Sequence, residues 1–387
     1  MEIARREFLA GTASLVATLA TGGCVSMSSP EARPVPRFAY VGCYTSKERN
    51  GQGDGISVYH VDPGTGNWTQ LQLLNDIANP SFLTLDERER FLYAARGDGE
   101  EASAYQIDAQ SGRLSPFNRQ PTGGENGVSL AVDPTNRFLV LANYSSGTVA
   151  VLPINADGSL AKRSDVVALP GKPGPHRTQQ TSSQPHDIVF DPRGRFIVVP
   201  DKGLDLVFVY KLDTASGKLV AADPPSVASR PGAGPRHADF HPRKPYAYVL
   251  NELDSTIATY AFDPERGGLK PLQVITTLPT DFTGNSTTSE VEVAPSGRFV
   301  YASNRGHDSL AIFAIDEATG VLAPAGWEST QGKTPRFFGL YPPGTFLYAA
   351  NQDSDTIVTF RVDQASGKLT PTGQVVKTGS PSCIVFK

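Results

Sequence analysis

Four residues in the middle of the chain carry side chains that could move a proton and hold an anion: His186, Arg236, Glu252 and Arg305. They are 50, 16 and 53 residues apart, too far for one helix or one turn to present them together. A histidine or a carboxylate can take a proton from water, so Glu252 and His186 both qualify as the base. Arginines can stabilise the oxyanion formed when water adds to a carbonyl, or clamp a carboxylate or phosphate bidentately. Glu290, Arg336, Gln352 and Asn143 are expected to contact a substrate beside them. The six histidines are scattered and no acidic cluster has metal-ligand spacing, so no metal site and no cofactor is expected. No Gly-x-Ser-x-Gly elbow occurs, which argues against a serine hydrolase.

A repeat must position such distant residues. A strand ending in Asp, followed by a turn ending Gly-x-Leu or close to it, begins at Asp62, Asp108, Asn155, Asp213, Asp263, Asp316 and Asp363. The steps are 46, 47, 58, 50, 53 and 47 residues. A period near 50 suits a β-propeller blade, because one four-stranded sheet cannot bury both faces alone and copies must stack around an axis. A second repeated phrase is a turn followed by an aromatic run, as in Asp191-Pro192-Arg193-Gly194-Arg195-Phe196, with variants at Asp86, Asp133, His241, Ala294 and Tyr341. Pro and Gly there mark a tight hairpin, and alternating Val, Ile, Phe and Tyr mark the strands around it.

The chain ends complete the pattern. Phe38-Ala39-Tyr40-Val41-Gly42 matches a second strand and lacks an innermost strand before it. Pro381-Ser382-Cys383-Ile384-Val385-Phe386 matches an innermost strand with none after it. The fold class is therefore all-β: a seven-bladed β-propeller of four-stranded antiparallel blades over 37–387, closed by the C-terminal strand in the first blade, which removes exposed sheet edges. The mouth of its channel gathers the starts of the innermost strands (Ser81, Ser129, His186, Arg236-His237, Glu290, Arg336, Ser382) and the ends of the second strands (Tyr44, Arg96, Asn143, Asp201, Asn251-Glu252, Asn304-Arg305, Asn351-Gln352). Asn251, Asn304 and Asn351 recur at one place and read as turn formers, and Asp201 fills the same slot. His237 and His307 read as structural, and His241 sits in a turn. Two insertions, 171–184 and 277–289, should overhang the same mouth.

Composition sets the remaining bounds. A net charge of −4 gives no nucleic-acid footprint, and a monomer is expected. Arg5-Arg6 before a weakly apolar run to about Ala20 resembles an export signal of the twin-arginine type over 1–24, and Thr21-Gly22-Gly23-Cys24 resembles a lipoprotein box. Residues 25–36 then form a linker. An exported, periplasmic or lipid-anchored protein is the expectation, with membrane contact only through Cys24. Cys383 should fall opposite Val41 or Gly42, out of step with Cys43, so buried thiols are expected rather than a disulfide.

Five stretches together carry a family resemblance: Pro185-His186, Gly234-Pro235-Arg236-His237, Asn251-Glu252-Leu253-Asp254-Ser255, Ser303-Asn304-Arg305-Gly306-His307-Asp308-Ser309 and Ala350-Asn351-Gln352-Asp353-Ser354. Over about 37–387 the chain resembles the bacterial lactonase family of seven-bladed propellers, which includes the propeller-type 6-phosphogluconolactonase and the carboxymuconate cyclase. The resemblance implies a site of one histidine, two arginines and a glutamate, falling on His186, Arg236, Glu252 and Arg305. Family members often show Pro-His-x-His, whereas Ile188 occupies the second histidine slot here. Hydrolysis of a small sugar-derived or anionic lactone is the leading expectation, with a small-molecule lactone or sugar acid as partner. A non-catalytic exported propeller binding a sugar or protein, and a carboxymuconate-type cycloisomerase, are the alternatives.

Overall fold

The computed structural model describes residues 35–387; the export and linker readings of 1–24 and 25–34 lie outside them. Among the described residues, twenty-eight strands form seven four-stranded sheets. Blade 1 takes its innermost strand from the C-terminus: Pro381–Phe386 pairs antiparallel with Phe38–Cys43, with Gly42 opposite Cys383. Blades 2 to 7 follow in chain order, each beginning with its innermost strand, at Pro80, Gly127, Val189, Pro235, Thr287 and Pro335. Among the described residues no helix is long and apolar enough to cross a membrane.

The two repeated turns are built by side-chain caps. In the first, the Asp62 carboxylate accepts the N–H groups of Gly64 and Thr65 while its carbonyl accepts that of Gly66. Gly66 sits at φ +76°, where a side chain is strained. In the second, Asp86, Asp133 and Asp191 each accept two backbone N–H groups at the start of the following strand, as from Arg90 and Phe91.

The same turns join the blades. A tyrosine on a second strand donates its hydroxyl to the turn glycine carbonyl of the next blade: Tyr40 to Gly112, Tyr93 to Gly158, Tyr248 to Gly320 and Tyr301 to Gly367. Tyr348 of blade 7 donates to Gly66 of blade 1 at 3.0 Å, so this contact crosses the ring closure. Nearer the axis, side chains satisfy N–H groups of the neighbouring innermost strand. Asp187 accepts from Ala238 (3.1 Å), Asp239 from Val293 (2.7 Å) and Glu292 from Leu340 (2.9 Å). Inter-blade surfaces are packed with buried Tyr, Phe, Val and Leu, which supply most of the burial energy.

Cys43 and Cys383 are free buried thiols. A bulge between Gly42 and Cys43 carries Cys43 out of register, so it faces the carbonyl of Gly55 instead.

Removing residues 381–387 should leave Phe38–Cys43 with an unpaired edge, lowering the melting temperature and broadening the transition in calorimetry. A truncated protein that melts like the full chain would contradict the closure. Tyr348→Phe deletes one buried hydrogen bond at the seam and should cost about 1 kcal/mol in denaturant titration.

Candidate active site

Two slots of the repeat aim side chains at the axis. The first is a β-bulge at the start of the innermost strand. The register skips one residue there, leaving Ser81, Val128, Arg236, Arg336 and Ser382 unpaired. A bulge re-aims the side chain it carries. His186 holds the corresponding place in blade 4, after the bridge between Pro185 and Asp201. The second slot is the residue after the end of the second strand. It supplies Tyr44, Tyr144, Lys202 and Glu252, and the strand end Arg305 joins them.

Several of these residues join others around a cavity of about 220 Å³ lined by Tyr44, Arg49, Asn126, Val128, Tyr144, Gln179, His186, Lys202, Glu252, Arg305 and Arg336. Glu252 is its electrostatic centre. Its carboxylate lies 3.0 Å from Lys202 Nζ, 3.1 Å from Arg236 Nε and 3.3 Å from Arg305 Nη2. Burial opposes its ionisation, but Arg305, Lys202 and Arg236 outweigh that and hold the carboxyl well below the usual carboxylate range. Arg236 is 2% exposed and does not line the cavity. It supports Glu252 and donates to the carbonyl of Ser289. Arg336 lines the wall with its guanidinium 5.1 Å from the centre of the Tyr44 ring.

His186 is buried against Tyr144 and His237, with ring centroids 5.4 and 5.2 Å away. Desolvation, then Arg236, His237, Arg336 and Lys202, push its pKa well below the ordinary value, so it is neutral at neutral pH. Four cations (Lys202, Arg236, Arg305 and Arg336) thus surround one ionised carboxylate and one neutral imidazole. Arg49 is paired separately with Asp98.

Of the expected site residues, His186, Glu252, Arg305 and Arg336 line the same cavity, with Arg236 packed against Glu252. Three of the residues expected to contact a substrate do not reach the cavity. Asn143 is fully buried, bonded to Thr122 and Thr148, and closes a turn as Asn251 and Asn304 do in their blades. Glu290 lies one register step further along its innermost strand than Arg236 does, because Ser289 takes the matching place; its carboxyl meets His237 Nδ1 at 2.9 and 3.0 Å. Gln352 heads a short 3₁₀ turn and is absent from the lining. Ile188, in the second-histidine slot, is a core residue.

Sequence reading missed Lys202 and Tyr144. Both follow a turn former, Asp201 and Asn143, as Glu252 follows Asn251, so the repeat contained the signal. The two insertions border the cavity and the groove beside it. Gln179 lines the cavity, and residues 284–287 line a groove of about 580 Å³ with His176, Gln179, Glu252 and Arg305. The first insertion is anchored by buried Gln180, which donates to the Lys202 carbonyl and the Asp205 carboxylate at 2.8 and 2.7 Å.

This architecture defines the class: a seven-bladed propeller with a desolvated, cation-rich cavity lined from the inner strands of several blades. The family model described as "Lactonase, 7-bladed beta-propeller" matches residues 38–386, and the chain belongs to that family. It is 38% identical over 303 residues to a 6-phosphogluconolactonase of Bacillus subtilis, covering 78% of this chain and 84% of the relative. A 6-phosphogluconolactonase of Formosa agariphila is 31% identical over 317 residues, with coverages of 78% and 85%. Among solved structures, the periplasmic gluconolactonase of Pseudomonas aeruginosa superposes with a TM-score of 0.83 at 34% identity, covering 90% of this chain and 98% of that one.

The Glu252 cluster makes an acid-stability prediction. A carboxyl whose folded pKa is depressed stabilises the fold above its unfolded value of about 4.3, and that contribution is lost as pH falls toward the folded value. Glu252→Gln should destabilise the protein at pH 7 by about 3–5 kcal/mol, because three cations lose their counter-charge. It should also flatten the stability loss below about pH 4. Denaturant melts at several pH values check both; a parallel offset at every pH would contradict the linkage.

Proposed function

We propose that the chain hydrolyses a small sugar-derived or anionic lactone at this mouth, with His186 as general base. The observation that carries the reading is a neutral, desolvated imidazole on the wall of a cavity whose other ionisable groups are predominantly cationic. Glu252, held ionised by three cations, is a weak base and suits a scaffold role better. In the proposed reaction a water proton passes to His186 as the hydroxide oxygen adds to the lactone carbonyl carbon. Arg305 and Lys202 stabilise the oxyanion. Collapse of the adduct breaks the ring C–O bond, and the departing alkoxide takes the proton back from His186. The product is a hydroxy acid, which releases its carboxyl proton to solvent, and Arg336 is a third cation placed to hold the resulting carboxylate. Lactones are activated esters, so this set of groups suffices without a covalent intermediate.

We also propose that the protein works outside the cytoplasm. Arg5-Arg6 and the run that follows support export, and likeness to a periplasmic gluconolactonase points the same way. An exported enzyme would meet sugar lactones without a phosphate. Replacing Arg5 and Arg6 by Lys should leave precursor in the cytoplasm, detected by fractionation and mass spectrometry.

Turnover against lactones with and without a phosphate tests the activity. His186→Ala should cost on the order of 10²–10⁴-fold in kcat with little change in KM. Arg336→Ala should chiefly raise KM. If both variants retain full hydrolysis, or if the wild type turns over no lactone, the assignment fails and a binding role takes its place.

A further inference from the structure

Below the mouth, the innermost strands contribute a second layer one register step further in: Phe82, Ser129, Asp187, His237, Glu290 and Phe337. Phe82 packs edge-on against both Phe337 and His237, with centroids 6.0 Å apart in each case. The layer holds two aromatic rings and one hydrogen-bonded ionisable pair, His237 and Glu290, and it meets the cavity lining where the His237 ring packs against His186. This pair makes no salt bridge to the cations around Glu252, although Arg236 acts on both of its members through space.

Two buried ring nitrogens are orphaned at this level. His186 Nδ1 and His237 Nε2 have neither solvent nor a hydrogen-bond partner. A buried polar nitrogen left without a partner carries its full desolvation penalty. They belong to rings whose centroids are 5.2 Å apart and tilted by 57°, close enough that a rotation of the rings would join the two nitrogens in one direct hydrogen bond and satisfy both. The opposite nitrogen of His237 is fixed by the Glu290 carboxyl at 2.9 and 3.0 Å. The carboxyl is itself oriented by the N–H of Val291 at 3.0 Å.

We propose that His237 and Glu290 are positioning residues that set the tautomer of His186 through a chain running from Glu290 to His237 Nδ1, and from His237 Nε2 to His186 Nδ1. This rests on His186 being the base. The logic follows from proton placement. With Glu290 ionised, His237 carries its proton on Nδ1 and offers the Nε2 lone pair. His186 then donates from Nδ1 and keeps the Nε2 lone pair for the cavity, where it can accept a proton from water. With one more proton on the pair, His237 Nε2–H donates instead. His186 Nδ1 becomes the acceptor and its Nε2 carries hydrogen, which leaves no base.

The groups facing Glu290 tune this switch. Burial pushes its carboxyl up to about 8, while Arg236 and Arg336 favour its ionised form. Asp187, Asp239 and Glu292 are buried acids close enough to interact with it, and the Cys383 thiol, itself pushed up by burial, also faces it. His237 is driven down to about 3 by burial and Arg236, so it stays neutral over the working range. The active tautomer is therefore gained as pH rises through the titration of Glu290.

The test reads the tautomer directly. In ¹⁵N-histidine-labelled protein, with the His186 signals assigned by their loss in His186→Asn, Nδ1 should carry the proton above the Glu290 titration and Nε2 below it. Glu290→Gln, which offers a carbonyl oxygen to His237 Nδ1 at every pH, should hold the Nδ1–H tautomer throughout and remove the rise in kcat across that range. His237→Phe should abolish the tautomer preference and lower kcat by about 10- to 100-fold with KM unchanged. His237→Gln, which keeps an acceptor near the Nε2 position, should restore part of it. The proposal is overturned if His186 shows the same tautomer at all pH values in the wild type, or the same pH response in Glu290→Gln as in the wild type. Because the spectrum needs no substrate, a protein with the switch and no lactone turnover would refute the hydrolase reading alone.

Discussion

A carboxylate taken out of water must be met by charge, and Glu252 is met by Lys202, Arg236 and Arg305 from blades 4, 5 and 6. Each cation sits at the inner end of its own sheet, so the cluster forms only if three sheets hold the right rotation about the axis. Loss of Glu252 would leave three desolvated cations in mutual repulsion. The wall that carries His186 depends on the same arrangement, because the surrounding positive charge helps keep that imidazole neutral.

The ring supplies this rotation through contacts that repeat between blades. Tyrosine hydroxyls on glycine carbonyls set the spacing toward the rim of each sheet, and side-chain acceptors on strand N–H groups set it near the axis. The first kind crosses the seam at Tyr348 and Gly66, and Cys383 faces Leu83 from the closing strand. With the first and last described strands paired in one blade, no innermost strand of that blade is missing. A site assembled from six blades can then be stiff although its residues are spread from Tyr44 to Arg336.

Much of this was legible in the sequence, for identifiable reasons. The Asp-x-x-x-Gly turn repeats because each blade needs the same cap, so its period exposes the architecture, and the missing strand before Phe38 exposes the closure. His186, Glu252 and Arg305 stand out because a fold does not require those residues at strand ends. What stayed hidden was register. A bulge of one residue decides whether a side chain lies at the mouth or one layer below, and it separates Arg236 from His237 and Ser289 from Glu290. Asn143 was misread because its blade has a tyrosine after it, so the charge that marks Glu252 and Arg305 was missing from the pair.

The central claim is that a lactone and its hydrolysis product occupy the mouth between His186, Glu252, Arg305 and Arg336. A crystal structure of the His186→Ala protein soaked with an aldonolactone, and of the wild type soaked with the corresponding aldonate, tests it most directly. The account predicts the carbonyl or carboxylate oxygens within hydrogen-bond reach of Arg305 or Lys202, with the reacting carbon beside the His186 position. Ligand density confined to another groove, or a mouth left empty at saturating ligand in both crystals, would contradict it.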